Sequence, residues 1–239
     1  NSSRDTGSGD FINFKTDNTE FLRITSAGKF GFNTTNPPRD YCFMSGQADT
    51  NIQITNSTTG VDDSAGALIQ QDGNDLYIWN KENSFMSLGT NATEKLRIHS
   101  GGYVTKSNQP AFMAALNANA TVSTGIGKVK NQGPGNTYTN VTVNIGNHFN
   151  TSTTVFTAPV AGIYVFSNQI SMSSNTPANA YLGAEFYKNG SRISTGWRRS
   201  HSQGYQRVTA NIILSLSAND TVEHGIETAV AGKLNGGST

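Results

Sequence analysis

Four histidines, His99, His148, His201 and His224, and the aspartates Asp62-Asp63 and Asp72 with Asp75 are the side chains of this sequence that could do acid–base or metal chemistry. The histidines stand far apart, and no Cys or carboxylate lies at metal-ligand spacing from them, so no metal site is expected. Paired carboxylates are what glycosidases use. Here the aspartates sit among Gly, Asn and Ser, and solvated turn residues are the simpler reading. Asp72-Gly73-Asn74-Asp75 lacks the spacing of a calcium loop, and neither a Gly-x-Ser-x-Gly elbow nor a phosphate-binding loop occurs. The expectation is no catalytic residue, no metal and no cofactor.

Binding chemistry is better represented. In Trp197-Arg198-Arg199-Ser200-His201-Ser202-Gln203-Gly204-Tyr205, aromatic faces suited to stacking on sugar rings alternate with Arg, His and Gln, which donate to hydroxyls or acidic groups. Trp197, Arg198, Arg199, His201, Gln203 and Tyr205 are therefore the candidate receptor-binding residues, expected on a loop between two strands. The competing reading makes Trp197 and Tyr205 strand-end core residues and leaves Arg198 and Arg199 solvated. Trp79, in Leu76-Tyr77-Ile78-Trp79, is either a ligand-binding aromatic or a stacked one.

Composition limits the elements that could hold these residues. The chain has 239 residues, 14% of them charged, with a net charge of +1. Its polarity comes from Asn, Ser, Thr, Gly and Gln, a mix suited to hydrogen-bonded β surfaces, and twelve Phe and eight Tyr argue for a folded chain. Scattered Lys and Arg disfavour nucleic acid or an anionic membrane as the main partner. Cys42 is alone, so no disulfide can form within the chain. No run of about 18 apolar residues offers a membrane span. The first residue is not Met and no signal-peptide pattern follows it, so the expectation is a fragment of something longer.

The first half carries a repeat. Thr19-Glu20-Phe21-Leu22-Arg23-Ile24-Thr25-Ser26-Ala27-Gly28 returns 74 residues later as Thr93-Glu94-Lys95-Leu96-Arg97-Ile98-His99-Ser100-Gly101-Gly102, with seven of ten positions identical. The same offset pairs Phe11 with Phe85 and Thr16 with Thr90. Each unit reads as a short strand with Leu22 and Ile24 on one face and Arg23 and Thr25 on the other, closed by a Ser-x-Gly turn. Similar strands centre on Ile52/Ile54 and Leu76/Ile78. Two apolar residues per strand cannot close a core, because burying each contributes ~1.5 to 3 kcal/mol against ~1 to 2 kcal/mol of backbone entropy per ordered residue. This half is leaner in apolar residues than the second, so it is expected to lean on partner chains. Pro37-Pro38 reads as a joint, and the Lys106-Ser107-Asn108-Gln109-Pro110 stretch as the boundary between residues 1–107, with units around 11–36 and 85–107, and residues 108–239.

Longer strands follow the boundary. Ile163-Tyr164-Val165-Phe166, bounded by a turn, implies a strand covered on both faces. Ala210, Ile212, Leu214 and Leu216 alternate with Asn211, Ile213 and Ser215, which gives a strand with one apolar face. Lys188-Asn189-Gly190-Ser191 reads as a hairpin turn. Strands recurring every ~8 to 12 residues make an all-β sandwich the natural solution.

These motifs, in this order, resemble the C1q-like head domain. Pro110-Ala111-Phe112 looks like the family's opening strand. Asn147-His148-Phe149-Asn150 with Val155 to Phe166 looks like its central signature, and Phe186-Tyr187-Lys188-Asn189-Gly190 like its Asn-Gly hairpin. Leu214-Ser215-Leu216-Ser217-Ala218-Asn219-Asp220-Thr221-Val222 is similar to the Leu-x-Leu-x-x-Gly-Asp-x-Val stretch, with Asn219 in place of Gly. The family's closing strand would begin near Gly237-Ser238-Thr239, so a head lacking its last strand, or closed differently, is expected. The first half is similar to repetitive segments of phage and marine viral tail fibres, through Thr19 to Phe30, Asn33-Thr34-Thr35-Asn36-Pro37-Pro38 and Thr93 to Val104.

The resemblance implies an all-β protein, a repetitive trimeric β fibre shaft followed by a C1q-like jelly-roll β-sandwich head. As to function, it implies the receptor-binding tip of a viral tail fibre: a non-enzymatic homotrimer on the virion, joined at its N-terminal side to other tail or fibre proteins. Such a tip would attach to a host-surface glycan or protein, with no nucleic-acid partner and no membrane insertion. The alternatives are a secreted bacterial or eukaryotic C1q-like adhesion or signalling module and, third, a polysaccharide depolymerase.

Overall fold

The computed structural model describes residues 2–5, 11–17, 19–37, 39, 41–43, 48–116, 118–133, 136–176, 180–199 and 204–236, with the side chains of 2–5, 41–42, 173–176, 194–199 and 204–205 outside that description. The described residues form β-strands, turns and one short 3₁₀ turn, so the all-β expectation holds. The chain divides into two compact units, residues 1–105 and 106–239.

Among the described residues, the first unit contains three sheets. Strands β1 (Ser2–Asp5), β2 (Phe11–Thr16), β3 (Thr19–Thr25), β4 (Phe30–Phe32) and β5 (Tyr41–Phe43) follow one another in order, with β5 parallel to β4 beyond the prolines. Strands β6 (Asp49–Ile54), β7 (Ala67–Asp72) and β8 (Asp75–Asn80) form an antiparallel meander, and β9 (Met86–Thr90), β10 (Thr93–Ile98) and β11 (Val104–Thr105) form another.

The sequence repeat is a repeat of backbone geometry. Asp17 and Asn91, 74 residues apart, both take the left-handed conformation in the first turn of each repeat, at φ 49° and 51°. A bulge falls at Phe21 in one copy and at Lys95 in the other. Gly28 N–H donates to Thr25 O and Thr25 N–H to Lys29 O, and Gly102 N–H donates to His99 O and His99 N–H to Tyr103 O in the same way. Glycine is required at both turn positions, where φ is +76° and +83°.

Pleating then sorts the side chains, as the alternation predicts. Ile12, Ile24 and Phe30 stand opposite one another across β2, β3 and β4, and Phe14, Leu22 and Phe32 form the next row. Ile52, Ile69 and Ile78 line up across β6, β7 and β8. Met86, Ile98 and Val104 do so across β9, β10 and β11. The first and third sheets thus each have one apolar face, whereas the second carries Leu68, Tyr77 and Trp79 on the face opposite its isoleucines, Tyr77 and Trp79 stacked at 5.5 Å. Many of these residues are exposed, including Ile12, Phe14, Ile52, Ile78 and Val104.

The second unit buries its core. Its strands are β12 (Ala111–Ala115), β13 (Ala120–Val122), β14 (Gly125–Lys128), β15 (Asn140–Ile145), β16 (Phe149–Asn150), β17 (Val155–Thr157), β18 (Gly162–Thr176), β19 (Tyr181–Lys188), β20 (Ser191–Arg199), β21 (Gly204–Leu216), β22 (Thr221–Thr228) and β23 (Gly232–Leu234). One sheet runs β13-β23-β18-β21, another β16-β17-β22-β19-β20 with β14 also on β22, and β12 pairs with β15. Phe166, Ile170 and Met172 of β18 and Val208, Ala210 and Leu216 of β21 join Leu182, Phe186, Val222 and Ile226 in the same buried cluster. Phe112 stacks on Phe149 and Phe156 at 4.7 and 5.2 Å between ring centres.

Two turns hold the far end of the second sheet. Asn189 and Gly190, at φ 49° and 81°, join β19 to β20 in the left-handed pair that a two-residue hairpin needs. Asn219 is also left-handed, at φ 70°, a conformation that Asn tolerates next to Gly, so the exchange of Gly for Asn noted in the sequence is a mild one. The Asn189 amide donates to Asp220 Oδ1 at 2.8 Å and accepts from Thr221 N–H at 2.8 Å, tying one turn to the other.

One expectation needs correction. The Ile163 to Phe166 run is not covered on both faces within the chain, because Ile163 and Val165 remain 70% and 73% exposed while Phe166 is buried. Four consecutive large residues belong to both faces of a strand, and here only the inner face finds partners among the described residues.

Candidate interaction surfaces of the globular unit

The candidate receptor-binding residues fall at the end of one strand and the start of another. Trp197, Arg198 and Arg199 belong to β20, paired with Gly183, Leu182 and Tyr181 of β19. Tyr205 is the second residue of β21. The expected loop is therefore shorter than the motif, because β20 continues its ladder through Arg199. His201 and Gln203 lie outside the described residues, as do the side chains of the other four. β20 is at the edge of its sheet.

Within each unit, the described candidate acid–base residues do not converge. Asp62, Asp63, Asp72 and Asp75 are all exposed, and Asp72 and Asp75 flank the two-residue turn between β7 and β8. His99 shares a 3.0 Å hydrogen bond with the Thr105 hydroxyl in the first unit. His224 lies in the second unit. Among the described residues, no group of three or more His, Cys, Asp or Glu could hold a metal ion.

His224 is a structural histidine. Its Nδ1 meets the Tyr138 hydroxyl, and its Nε2 is buried with no hydrogen-bond partner. Burial pushes its pKa down to about 4 and raises that of the tyrosine. Charging either group would strand that charge in an apolar interior, so the pair holds a neutral ring against a protonated hydroxyl. Glu185 is a second buried polar group, fully enclosed and forked by Arg192 at 2.8 and 2.9 Å. Arg192 also reaches Glu227 at 2.8 Å.

Two surface features escaped the sequence reading. The first is an apolar patch on the outer face of β18 and β21, where Val165 stands opposite Ile213 and Ile163 lies two residues along. All three are at least 70% exposed. Ile213 among inward-alternating neighbours was the signal that could have found it. The second is a cleft of about 490 Å³ bordered by residues 112–115 of β12 with Leu116 just beyond it, and by residues 166–171 of β18, with Phe149, Phe186, Val222 and Leu234 among its lining. No periodicity marks a cleft between strand edges, so sequence reasoning had no access to it.

Comparison with known proteins covers this same unit. The C1q domain family matches residues 111–233, from the first residue of β12 into β23. The globular domain of zebrafish complement 1qA protein is 18% identical, with a TM-score of 0.35 over 54% of this chain and 96% of that one. Murine APRIL is 13% identical, with a TM-score of 0.33 over 48% of this chain and 88% of that one. The family match takes in just over half of the chain, including the paired sheets and the aromatic core between them. The protein belongs to the C1q domain family, and its second unit is the jelly-roll β-sandwich of that family.

Proposed function

We propose that the protein is a trimeric attachment module, the receptor-binding end of a viral tail fibre in which residues 1–107 serve as a shaft and residues 108–239 as the head. The observation that carries this reading is the apolar face left open on each sheet of the first unit, together with the Ile163, Val165 and Ile213 patch on the second. Contiguous apolar surface of this kind on a soluble chain marks a contact surface. Copies related by a closed symmetry would cover the same patch on every chain. C1q domains typically associate as homotrimers, and a thin unit built of single-layer sheets gains a core only when copies assemble around it. The viral assignment rests on the repeat standing directly before a C1q domain.

Threefold display fits a module that binds weakly at each site and gains avidity from geometry. Trp197, Arg198, Arg199, His201, Gln203 and Tyr205 are the proposed receptor contacts, and a surface glycan or protein is the proposed receptor. The reading is tested by light scattering of the purified chain together with averaged electron micrographs. A particle of three times the chain mass, with a thin stalk and a globular end, is expected. A stable monomer would remove the trimer. A trimer from a genome with no neighbouring virion genes would favour a secreted adhesion module instead.

A further inference from the structure

The second sheet of the first unit, β6 to β8, has two unlike faces. One carries the row of Ile52, Ile69 and Ile78, and the other carries Tyr77 and Trp79, which point the same way because they stand two residues apart on β8. Their ring centres are 5.5 Å apart and their planes 11° from parallel. Trp79 nevertheless stays 47% exposed, so stacking accounts for only part of its surface.

The surroundings of the rings are polar. Asn51 and Gln70 share the row of Tyr77, and Asp49, Asp72 and Asp75 form the next row across the three strands. Covering this face with an apolar partner would strand its amides and carboxylates, so a dry contact with another copy of the chain suits the isoleucine face and not this one. Carboxylates only accept hydrogen bonds, and three of them opposite one another across neighbouring strands repel an anion. The aspartate row is not a metal-holding group either. Asn51 Nδ2 donates to Asp49 Oδ2 at 2.9 Å, whereas the Gln70 amide and the Tyr77 hydroxyl have no hydrogen-bond partner among the described residues. In the row of Trp79, Gln53 Nε2 donates to Asp62 O at 2.7 Å and to Ala65 O at 3.0 Å, which ties the 62–65 loop to this face. The face is thus bounded at one end, aromatic beside that boundary and rich in acceptors beyond it.

We propose that this face binds a glycan of uncharged sugars. An occupant must cover two aromatic rings and also bring hydrogen-bond donors to the aspartates, and a sugar ring does both, with a face of C–H groups and a rim of hydroxyls. The sugars stack on Trp79 and Tyr77, exchange hydrogen bonds with Gln70 and Asn51, and donate to Asp72 and Asp75. From Asp75 to Trp79 the face runs ~13 Å, room for two or three sugar rings. A peptide gains less here, because strand addition draws its main-chain hydrogen bonds from a sheet edge and a sheet face offers none. The aspartates exclude acidic sugars. This site goes beyond the attachment reading, since its residues belong to the first unit and the proposed contacts around Trp197 belong to the second.

The probes are cellotetraose, mannotetraose and N-acetylchitotetraose, which are uncharged, with tetragalacturonate and tetralysine as charged comparators. Binding is followed by the fluorescence of the full chain carrying Trp197→Phe, in which Trp79 is the single tryptophan, and by calorimetry of the unaltered chain. At least one uncharged tetrasaccharide is expected to shift Trp79 fluorescence saturably, and to bind about tenfold or more tightly than tetragalacturonate. Trp79→Phe keeps a ring face and should weaken binding by no more than about threefold, whereas Trp79→Leu, which keeps an apolar side chain without a ring, should weaken it by about tenfold or more. The absence of a shift with all three sugars would overturn the proposal, as would equal losses in the Phe and Leu variants. Tetragalacturonate or tetralysine binding as tightly as every uncharged tetrasaccharide would overturn it too. So would calorimetric binding that Trp197→Phe abolishes, because the sugar would then sit at the proposed receptor contacts of the second unit.

Discussion

Arg97 lies 3.8 Å from the centre of the Phe85 ring, and Arg23 lies the same 3.8 Å from the centre of the Phe11 ring, 74 residues earlier. Each arginine is also held by a carboxylate three residues before it, Glu94 and Glu20, through paired hydrogen bonds. The repeated motif is therefore a clamp: an acid fixes the guanidinium plane, and the plane covers an aromatic ring from the neighbouring sequence.

The two clamps should differ in strength. Glu20 and Arg23 are 6% and 19% exposed in their side chains, against 36% and 32% for Glu94 and Arg97, and Asn13 adds a 2.8 Å bond to Glu20. Arg23→Ala is expected to destabilise the first unit by about 1–3 kcal/mol, and Arg97→Ala by about 0.5–1 kcal/mol. Denaturant unfolding of the two variants measures the difference. The hydrogen bond from Arg23 holds the Glu20 carboxyl below its ordinary value. Its contribution is present above the unfolded carboxylate pKa and is lost as pH falls through the folded one, so the gap between wild type and Glu20→Gln should narrow in acid.

His224 makes the second unit sensitive to mild acid. Its folded pKa of about 4 lies below that of an unfolded histidine, ~6.5, so the stabilisation is complete above the unfolded value and declines as pH falls from there to the folded one. The full loss is roughly 3 kcal/mol at 1.36 kcal/mol per pKa unit. Thermal unfolding at steps from pH 7 to pH 4 is expected to show this decline in the wild type. His224→Gln, which does not titrate there, should show a shallower slope whatever its starting stability.

Arg192 is expected to be the most sensitive exposed charge of the second unit. Glu185 is completely enclosed, and Arg192→Ala would strand it, at a cost of about 3–5 kcal/mol. Glu227→Ala removes only an outer partner of the same arginine and should cost less than about 1 kcal/mol. Burial already raises the Glu185 pKa against the pull of Arg192, so Arg192→Ala should make the carboxyl take up a proton at higher pH. Glu185→Gln in the Arg192→Ala background is expected to recover part of the loss, measured by denaturant midpoint.

The turn pair at the end of the second sheet offers a cleaner backbone test. An added Cβ at Gly190 would meet no atom within 4 Å, yet φ there is +81°. Gly190→Ala should therefore cost about 1 kcal/mol through backbone strain alone. Asp220, held at a pKa of about 2 by hydrogen bonds from Asn189, Lys188 and Ser217 N–H, anchors the facing turn. The melting-temperature gap between wild type and Asp220→Asn should be full above the unfolded aspartate pKa and close as pH falls through the folded value.

Local chemistry was legible without the fold. The repeat from Thr19 and Thr93 determined matching strands and turns, because a left-handed Gly28 or Gly102 and a period-two alternation act within a few residues. The Asn189-Gly190 hairpin and the alternating series from Ala210 to Leu216 were determined in the same way. Other properties depended on what stands opposite in space. β19 draws Trp197 to Arg199 into a strand by pairing with them, where their composition alone pointed to a loop. His224 is silent as a letter and becomes a pH-sensitive group only when Tyr138 and the core enclose it. Ile163 and Val165 carry the same apolar chemistry as Phe166, but the sheet's second face has no cover among the described residues. The cleft between β12 and β18 likewise exists only once strands distant in sequence are brought edge to edge. Strand pairing and burial are long-range outcomes, so the tertiary structure alone decides which apolar residues become core and which become contact surface.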